Sequence, residues 1–259
     1  MYPINPDTPT AITMDIQDGA HYYNPFVLLI YDVWVLKLNM RYAWRSPTDT
    51  ILLPLFEEAF VQSNRHLDIG VASGFFPSTA LSRKRSRGVR GDQRQEIILM
   101  DLNPGALLTA KARIERDNPG DFARIDMVVG DALGAVPEGL QGRKFDSVSL
   151  FNLIHCFPPG TERKTRVFGL AAEVLSDEGV VVGSTVLGRC YIGWNLVSWF
   201  WMFWFNVTGA FGNWGDEPGG LEEGLRREFG EVETWIVGQS FLFRASKPRR
   251  RPVEAKKTG

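Results

Sequence analysis

The 259-residue chain is 44% hydrophobic and carries a formal net charge of −1, which describes one ordinary soluble globular domain with a substantial core. Near-neutral charge gives nucleic acid, or an acidic membrane, no electrostatic reason to be the main partner. Two cysteines, Cys156 and Cys190, lie far apart without metal-ligand spacing; no metal is expected, and both read as buried thiols in a reducing compartment, the cytosol.

In chain order, residues 1–20 are polar and proline-rich without a charged-then-apolar leader pattern, and read as a flexible arm. Residues 21–64 hold two helical stretches, "NPFVLLIYDVWVLKLNMRYAWRSP" and "TDTILLPLFEEAFVQ", that can cover one end of a sheet. The core, residues 65–246, then alternates. "RHLDIGV" is a short apolar strand closed by glycine, and "PSTALSRK" opens a helix with Pro77 at a first-turn position. The basic run from Arg83 to Gln95 reads as a solvated connection. "EIILMDL", "RIDMVVGDA" and "KFDSVSLFNLI" are strands, and "NPGALLTAKARIERD" is a helix between the first two. Helix "TERKTRVFGLAAEVL" puts Val167, Leu170, Ala171 and Val174 on one face. "GVVVGSTVLG" is the near-continuous apolar run of a strand buried on both faces.

The ending differs. Leu221, Leu225 and Phe229 form a helix stripe that stops at Gly230, and "EVETWIVG" and "SFLFRAS" follow with only a short turn between them. Strands so close must pair antiparallel. The fold expected is α/β: a doubly wound, Rossmann-like, seven-stranded sheet with a C-terminal antiparallel pair and a helical N-terminal cover, in a single domain. The basic residues 247–259 read as a frayed tail.

From Cys190 to Gly215 the chain has no charge and is rich in aromatics. Asn195, Ser198, Asn206 and several glycines interrupt it, and its rings fill the middle instead of forming belts at two ends. A helix lining an apolar pocket, or dipping into a membrane surface, fits better than a span.

In an open parallel sheet, ligands bind beyond the carboxyl ends of the strands. Asp68, Gly70, Ala72 and Gly74 follow the first strand, Asp101 ends the second, Asp131 follows the third, and Asn152 and His155 lie beyond the fourth. Each alone is a weak signal, since a glycine turn is often structural and an Asp at a strand end is often a helix cap. The ordered set is stronger: small residues admit a ligand to the backbone, and an acid after strand two can accept from two ribose hydroxyls.

The motifs "YAWRSP", "HLDIGVASGFF", "ILMDLNP", "LIHCFPPGTERK" and "VVVGSTVLG" resemble the class I S-adenosylmethionine-dependent methyltransferases, and more narrowly a group of small methyltransferases of microbial and fungal natural-product pathways. The resemblance runs from about Tyr31 to Ala245. It implies that Asp68, Gly70 and Gly74 line the methionine end of the cofactor, that Asp101 holds the ribose, that Leu102 and Asn103 flank the adenine, and that Asp131 with Ala132 reads its edge. The loop departs from the family at its centre, where Ala72 and Ser73 stand for the usual glycine and threonine. If Ala72 needs a positive φ, its Cβ costs roughly 1 kcal/mol, expected to weaken cofactor binding about five- to tenfold.

A dinucleotide dehydrogenase reads the same loop less well, because Phe75 occupies the fingerprint's next glycine position and the last strand pair is antiparallel. The implied reaction is transfer of a methyl group to an O, N or C nucleophile of an apolar small molecule in secondary metabolism. His155 is the candidate general base. Tyr22, Tyr23, Tyr31, Trp44, Trp194 and Trp201 are the candidate acceptor walls. A non-methylating cyclase or isomerase on the same fold is the alternative, and contact with a membrane surface is a lesser expectation for the aromatic segment.

Overall fold

The computed structural model describes residues 32–88, 94–120 and 123–250. It opens with a wide, π-type helix α1 (Asp32–Ala43) and a helical turn (Thr48–Leu52) that runs into α2 (Leu53–Gln62). Then come β1 (Arg65–Ile69), α3 (Phe75–Ser86), β2 (Gln95–Asp101), α4 (Pro104–Asp117), β3 (Ala123–Val129) and β4 (Phe145–Phe151). A short helical turn (Thr161–Lys164) precedes α5 (Arg166–Val174) and β5 (Leu175–Val186). The chain continues through α6 (Leu196–Val207), α7 (Pro218–Glu228), β6 (Phe229–Val237) and β7 (Ser240–Pro248).

The seven strands form one sheet in the order β3-β2-β1-β4-β5-β7-β6. The first five are parallel because each is reached by a long crossover, whereas β6 and β7 are joined by a tight turn and pair antiparallel. Strand order reverses between β1 and β4, where Asp68 lies opposite Ser149. That reversal opens the crevice of a doubly wound sheet at the carboxyl ends of β1 and β4.

Alternation along the strands divides the core. Leu67, Ile69, Ile98, Met100, Val148, Leu150 and Phe243 face α5 and α7. Ile97, Leu99, Phe151, Val182 and Leu242 face the helices α1 to α4. The stripe predicted for α5 is buried throughout, and in α1 Leu36, Met40 and Ala43 form an inward stripe at helical spacing that Trp44, just beyond the helix, continues.

Several local expectations change. The α7 stripe ends one residue earlier than read, because Phe229 is already extended and starts β6. Arg83, Lys84 and Arg85 form the last turn of α3 instead of a loose connection, with Arg83 and Arg87 paired to buried Glu57; residues 89–93 of that run lie outside the described residues. The tail begins anchored: Arg250 donates to the Ala172 and Leu175 carbonyls at 2.7 and 2.8 Å. Neither cysteine is fully buried, since Cys190 is exposed and Cys156 is half-buried.

Candidate cofactor and methyl-transfer site

The loop after β1 is built on alternating backbone handedness. Gly70, Ala72 and Gly74 have φ of 77°, 45° and 70°, the left-handed region that glycine enters without penalty and alanine does not. A Cβ at Gly74 would sit 2.8 Å from the α4 backbone at Ala110. Only glycine therefore lets α4 pack against this loop. Ala72 holds the same kind of conformation with its methyl group in place, and Leu36, Asp68, Phe75, Phe76 and Phe151 join the loop around a small cavity.

Asp68 is buried at the floor of that cavity. Its Oδ1 accepts from Ser149 Oγ at 2.5 Å across the β1–β4 pairing. Ser149 Oγ also lies 3.0 Å from His66 Nε2, and His66 Nδ1 lies 2.7 Å from Ser147 Oγ. With Ser149 donating to the carboxylate, the remaining protons are fixed. His66 donates from Nε2 to Ser149 and accepts at Nδ1 from Ser147. Burial, with the nearby Lys84 charge, pushes the His66 pKa down to about 3, so the ring is neutral. Burial pushes Asp68 up to about 7 against the opposing Ser149 bond, with Asp101 adding to the rise. The network lies under the loop and was not read from the sequence, although polar residues at alternate positions in both "HLD" and "SVS" were its signal: two buried strands needed polar partners on the same face.

Asp101 ends β2 and accepts from Asn103 N at 2.9 Å; the nearby backbone N–H groups of Val71, Ala72 and Leu102 also favour its carboxylate, while burial raises its pKa. It thus ties the first two strand ends together. Asn103 Oδ1 caps α4 by accepting from Gly105 N at 2.8 Å, Leu102 is exposed, and Ala132 is buried. Asp131 Oδ1 accepts from Leu133 N at 2.8 Å, which shapes the turn after β3.

Asn152, just beyond β4, is a buried residue at φ 53°. Its Oδ1 accepts from Ser184 Oγ at 3.2 Å, but its Nδ2 has no hydrogen-bond partner. A buried amide donor left unmade costs about 1–3 kcal/mol, so it calls for a ligand acceptor.

His155 does not have the geometry of a base. Val186 N donates to its Nδ1 at 3.2 Å, and burial pushes its pKa down to about 3. A neutral imidazole that accepts at Nδ1 carries its proton on Nε2, so the ring can donate there but not take up a proton. Phe211 packs edge-on against it, with centroids 4.2 Å apart.

The predicted acceptor wall also divides. Tyr22, Tyr23 and Tyr31 lie outside the described residues. Trp44 is fully buried and fills core space, while Trp194 is fully exposed and walls nothing. Trp201 is half-buried and starts a run of rings: it stacks on Phe205 at 5.2 Å, Phe205 meets Phe211 at 4.7 Å, and Phe211 ends on His155. Phe205 and Phe211 therefore bridge α6 to the β4 end.

Lys164 was missed by sequence reasoning. Its fully buried ammonium donates to Asp216 Oδ2 at 2.6 Å and to the Gly212 carbonyl at 2.9 Å, and Gly212 N donates to the His155 carbonyl at 2.9 Å. This pair clamps the segment after α6 onto the site.

The sheet order and the strand-end crevice define a Rossmann-like methyltransferase fold. A methyltransferase-domain model matches residues 67–181. The chain is 38% identical over 254 residues to O-methyltransferase NEC2 of Pyricularia oryzae, covering 88% of this chain and 92% of that protein. It is 36% identical over 235 residues to the Physcion biosynthesis cluster O-methyltransferase of Aspergillus chevalieri, covering 89% and 96%. The solved structure of PigF with SAH superposes with a TM-score of 0.56 at 16% identity, covering 91% of this chain and 68% of that one. The chain belongs to the class I S-adenosylmethionine-dependent methyltransferases, in the group of fungal natural-product enzymes. It is a methyltransferase of secondary metabolism.

Proposed function

We propose that the protein transfers the methyl group of S-adenosylmethionine to a hydroxyl oxygen of an apolar small molecule. The observation that carries this reading is the buried carboxylate at Asp68 in a small cavity walled by left-handed Gly70 and Ala72, with an orphaned amide donor at Asn152 just beyond the adjoining strand β4. These residues fit the cofactor: Asp68 suits an ammonium, Asn152 Nδ2 suits a carboxylate or carbonyl oxygen, and Asp101 suits ribose hydroxyls. Leu102, Asn103, Asp131 and Ala132 would frame the adenine. The bound cofactor supplies an activated methyl on a sulfonium, open to in-line displacement.

The chain's own part is alignment. Holding the acceptor oxygen in line supplies most of the barrier reduction in such a transfer. Phe75, Phe151 and the ring run from Trp201 to Phe211 exclude water and favour a flat apolar acceptor. His155 contributes an Nε2–H donor and a rigid edge, not proton abstraction. An acidic hydroxyl such as a phenol loses its proton to solvent without a protein base. The O-methyltransferase names of both relatives support oxygen as the nucleophile.

Calorimetric titration with S-adenosylmethionine, followed by mass analysis of a phenolic acceptor panel, tests the reading. Micromolar binding and a product heavier by one methylene unit are expected; no binding at millimolar cofactor, or a product of unchanged mass, rejects it.

A further inference from the structure

Among the described residues the outward face of α6 has no partner. Leu196, Phe200, Phe203, Trp204 and Val207 recur at helical spacing and are 82%, 58%, 58%, 51% and 67% exposed, and Trp194 stands clear just before the helix. The inner face accounts for burial: among the helix residues only Ser198 and Met202 are fully covered. A stripe this apolar is unusual on a free surface and marks a place where something docks.

The helix is held rigidly in this attitude. Asn195 caps it by accepting from Val197 N and Ser198 N, and donates from Nδ2 to the Tyr42 carbonyl at 2.9 Å. Ser198 Oγ donates to the Ala43 carbonyl. The end of α1 is therefore the rim of the same surface, and it adds Tyr42, which is exposed, beside Arg41.

Charge selects the occupant. From Tyr191 to Gly215 there is no charged residue, and the charges that border the face are arginines. Arg45 lies against the Ile192 carbonyl, Arg189 lies over the Trp214 ring at 5.8 Å, and Arg41 lies over Tyr42 at 6.0 Å. None of the three makes an ion pair among the described residues. The acid that closes the segment, Asp216, is buried against Lys164. An apolar, tryptophan-bearing helix with a cationic rim has the chemistry of an interfacial helix on an anionic bilayer. A two-fold contact through this face would instead bring one copy's arginines toward those of the other. Residues 1–31 carry large apolar side chains of their own, Tyr22, Tyr23, Phe26, Leu28, Leu29 and Ile30 among them, and are the competing occupant that the test separates.

We propose that α6, with the Tyr42 and arginine rim, seats the protein on a bilayer surface that displays anionic phospholipid headgroups. The helix lies in the interface and does not cross it: its 12 residues fall short of the roughly 20 needed for a span. The inference does not depend on the identity of the cofactor or acceptor.

Flotation of the full chain with vesicles tests it, using phosphatidylcholine with and without phosphatidylserine, alongside light scattering for oligomeric state. Expected are binding to the phosphatidylserine vesicles, a blue shift of tryptophan emission, and weakening by salt. The double variant Phe200→Glu/Phe203→Glu, on exposed positions, should lose at least about tenfold in partitioning with an unchanged melting temperature. Arg45→Gln/Arg189→Gln should lose about fivefold per charge on anionic vesicles only. No flotation with either vesicle overturns the proposal. So does a stable dimer that Phe200→Glu/Phe203→Glu dissociates while no vesicle binding occurs, or flotation that appears only after residues 1–31 are removed, which would assign the face to a second copy or to that segment.

Discussion

Ser149 Oγ donates to Asp68 Oδ1 at 2.5 Å from the neighbouring strand, in a position where burial alone would hold the carboxyl in its neutral form. One hydrogen bond from a neutral hydroxyl does not offset the desolvation, and the pKa settles at about 7. Because the folded value lies above the ordinary carboxylate one, the protonated form favours folding. That contribution is complete below the ordinary carboxylate pKa and is lost as pH climbs toward 7. A cationic ligand reverses the preference. Cofactor affinity should therefore rise with pH up to about 7 and level off, with a proton released on binding below that point. Calorimetry in buffers of different ionisation enthalpy measures the proton; affinity that is flat across this range would reject Asp68 as the ammonium partner. Asp68→Asn keeps the Ser149 bond, should lose at least about tenfold in affinity at pH 8, and should abolish the pH dependence.

Ala72 holds φ 45°, which places its Cβ in the left-handed region. Gly74 N donates to the Val71 carbonyl at 2.8 Å and closes the turn within the chain's own backbone, so the strain of that Cβ is expected to fall on folding, with the five- to tenfold loss of cofactor affinity as the competing outcome. Ala72→Gly relieves about 1–2 kcal/mol of strain and forfeits about 0.4–1 kcal/mol through a freer unfolded chain. The net gain should be of order 0.5–1 kcal/mol, or a melting temperature higher by about 1–4 °C, with the cofactor dissociation constant changed less than about threefold. A tenfold tighter constant without a thermal shift would place the strain in the bound state instead.

His155→Gln tests the tautomer argument. Glutamine can still accept from Val186 N, so kcat should stay within about tenfold of the parent, whereas loss of a general base costs about 10²- to 10⁴-fold. The rate at several pH values separates the two cases, because a base would also remove a limb of the pH profile.

The sheet was legible because each strand and helix carried its own period, and the short β6–β7 turn dictated their antiparallel pairing. The strand-end residues were legible because topology decides where a ligand can approach. What could not be read is pairwise: whether Nδ1 or Nε2 of His155 is taken depends on β5, more than 30 positions along the chain. Trp44 and Trp194 look alike in sequence, yet one is buried with its ring near Phe211 and the other is fully exposed. Composition marked the aromatic segment as unusual, but only the packing of α6 on α1 shows which of its rings turn inward.

Lys164 and Asp216 are ordinary charged residues by sequence and a fully desolvated pair in the fold. Burial lowers the lysine pKa and raises the aspartate one, so each needs the other to stay charged. Lys164→Met leaves the buried Asp216 carboxylate and the Gly212 carbonyl without their donor, and should destabilise by about 3–5 kcal/mol. Asp216→Leu strands the ammonium and should cost a similar amount. The double variant replaces both charges with apolar volume and should recover most of the loss. Chemical denaturation of the four proteins measures this as a coupling energy. Additive losses in the double variant would mean that the clamp on Gly212 and His155 is held by packing alone.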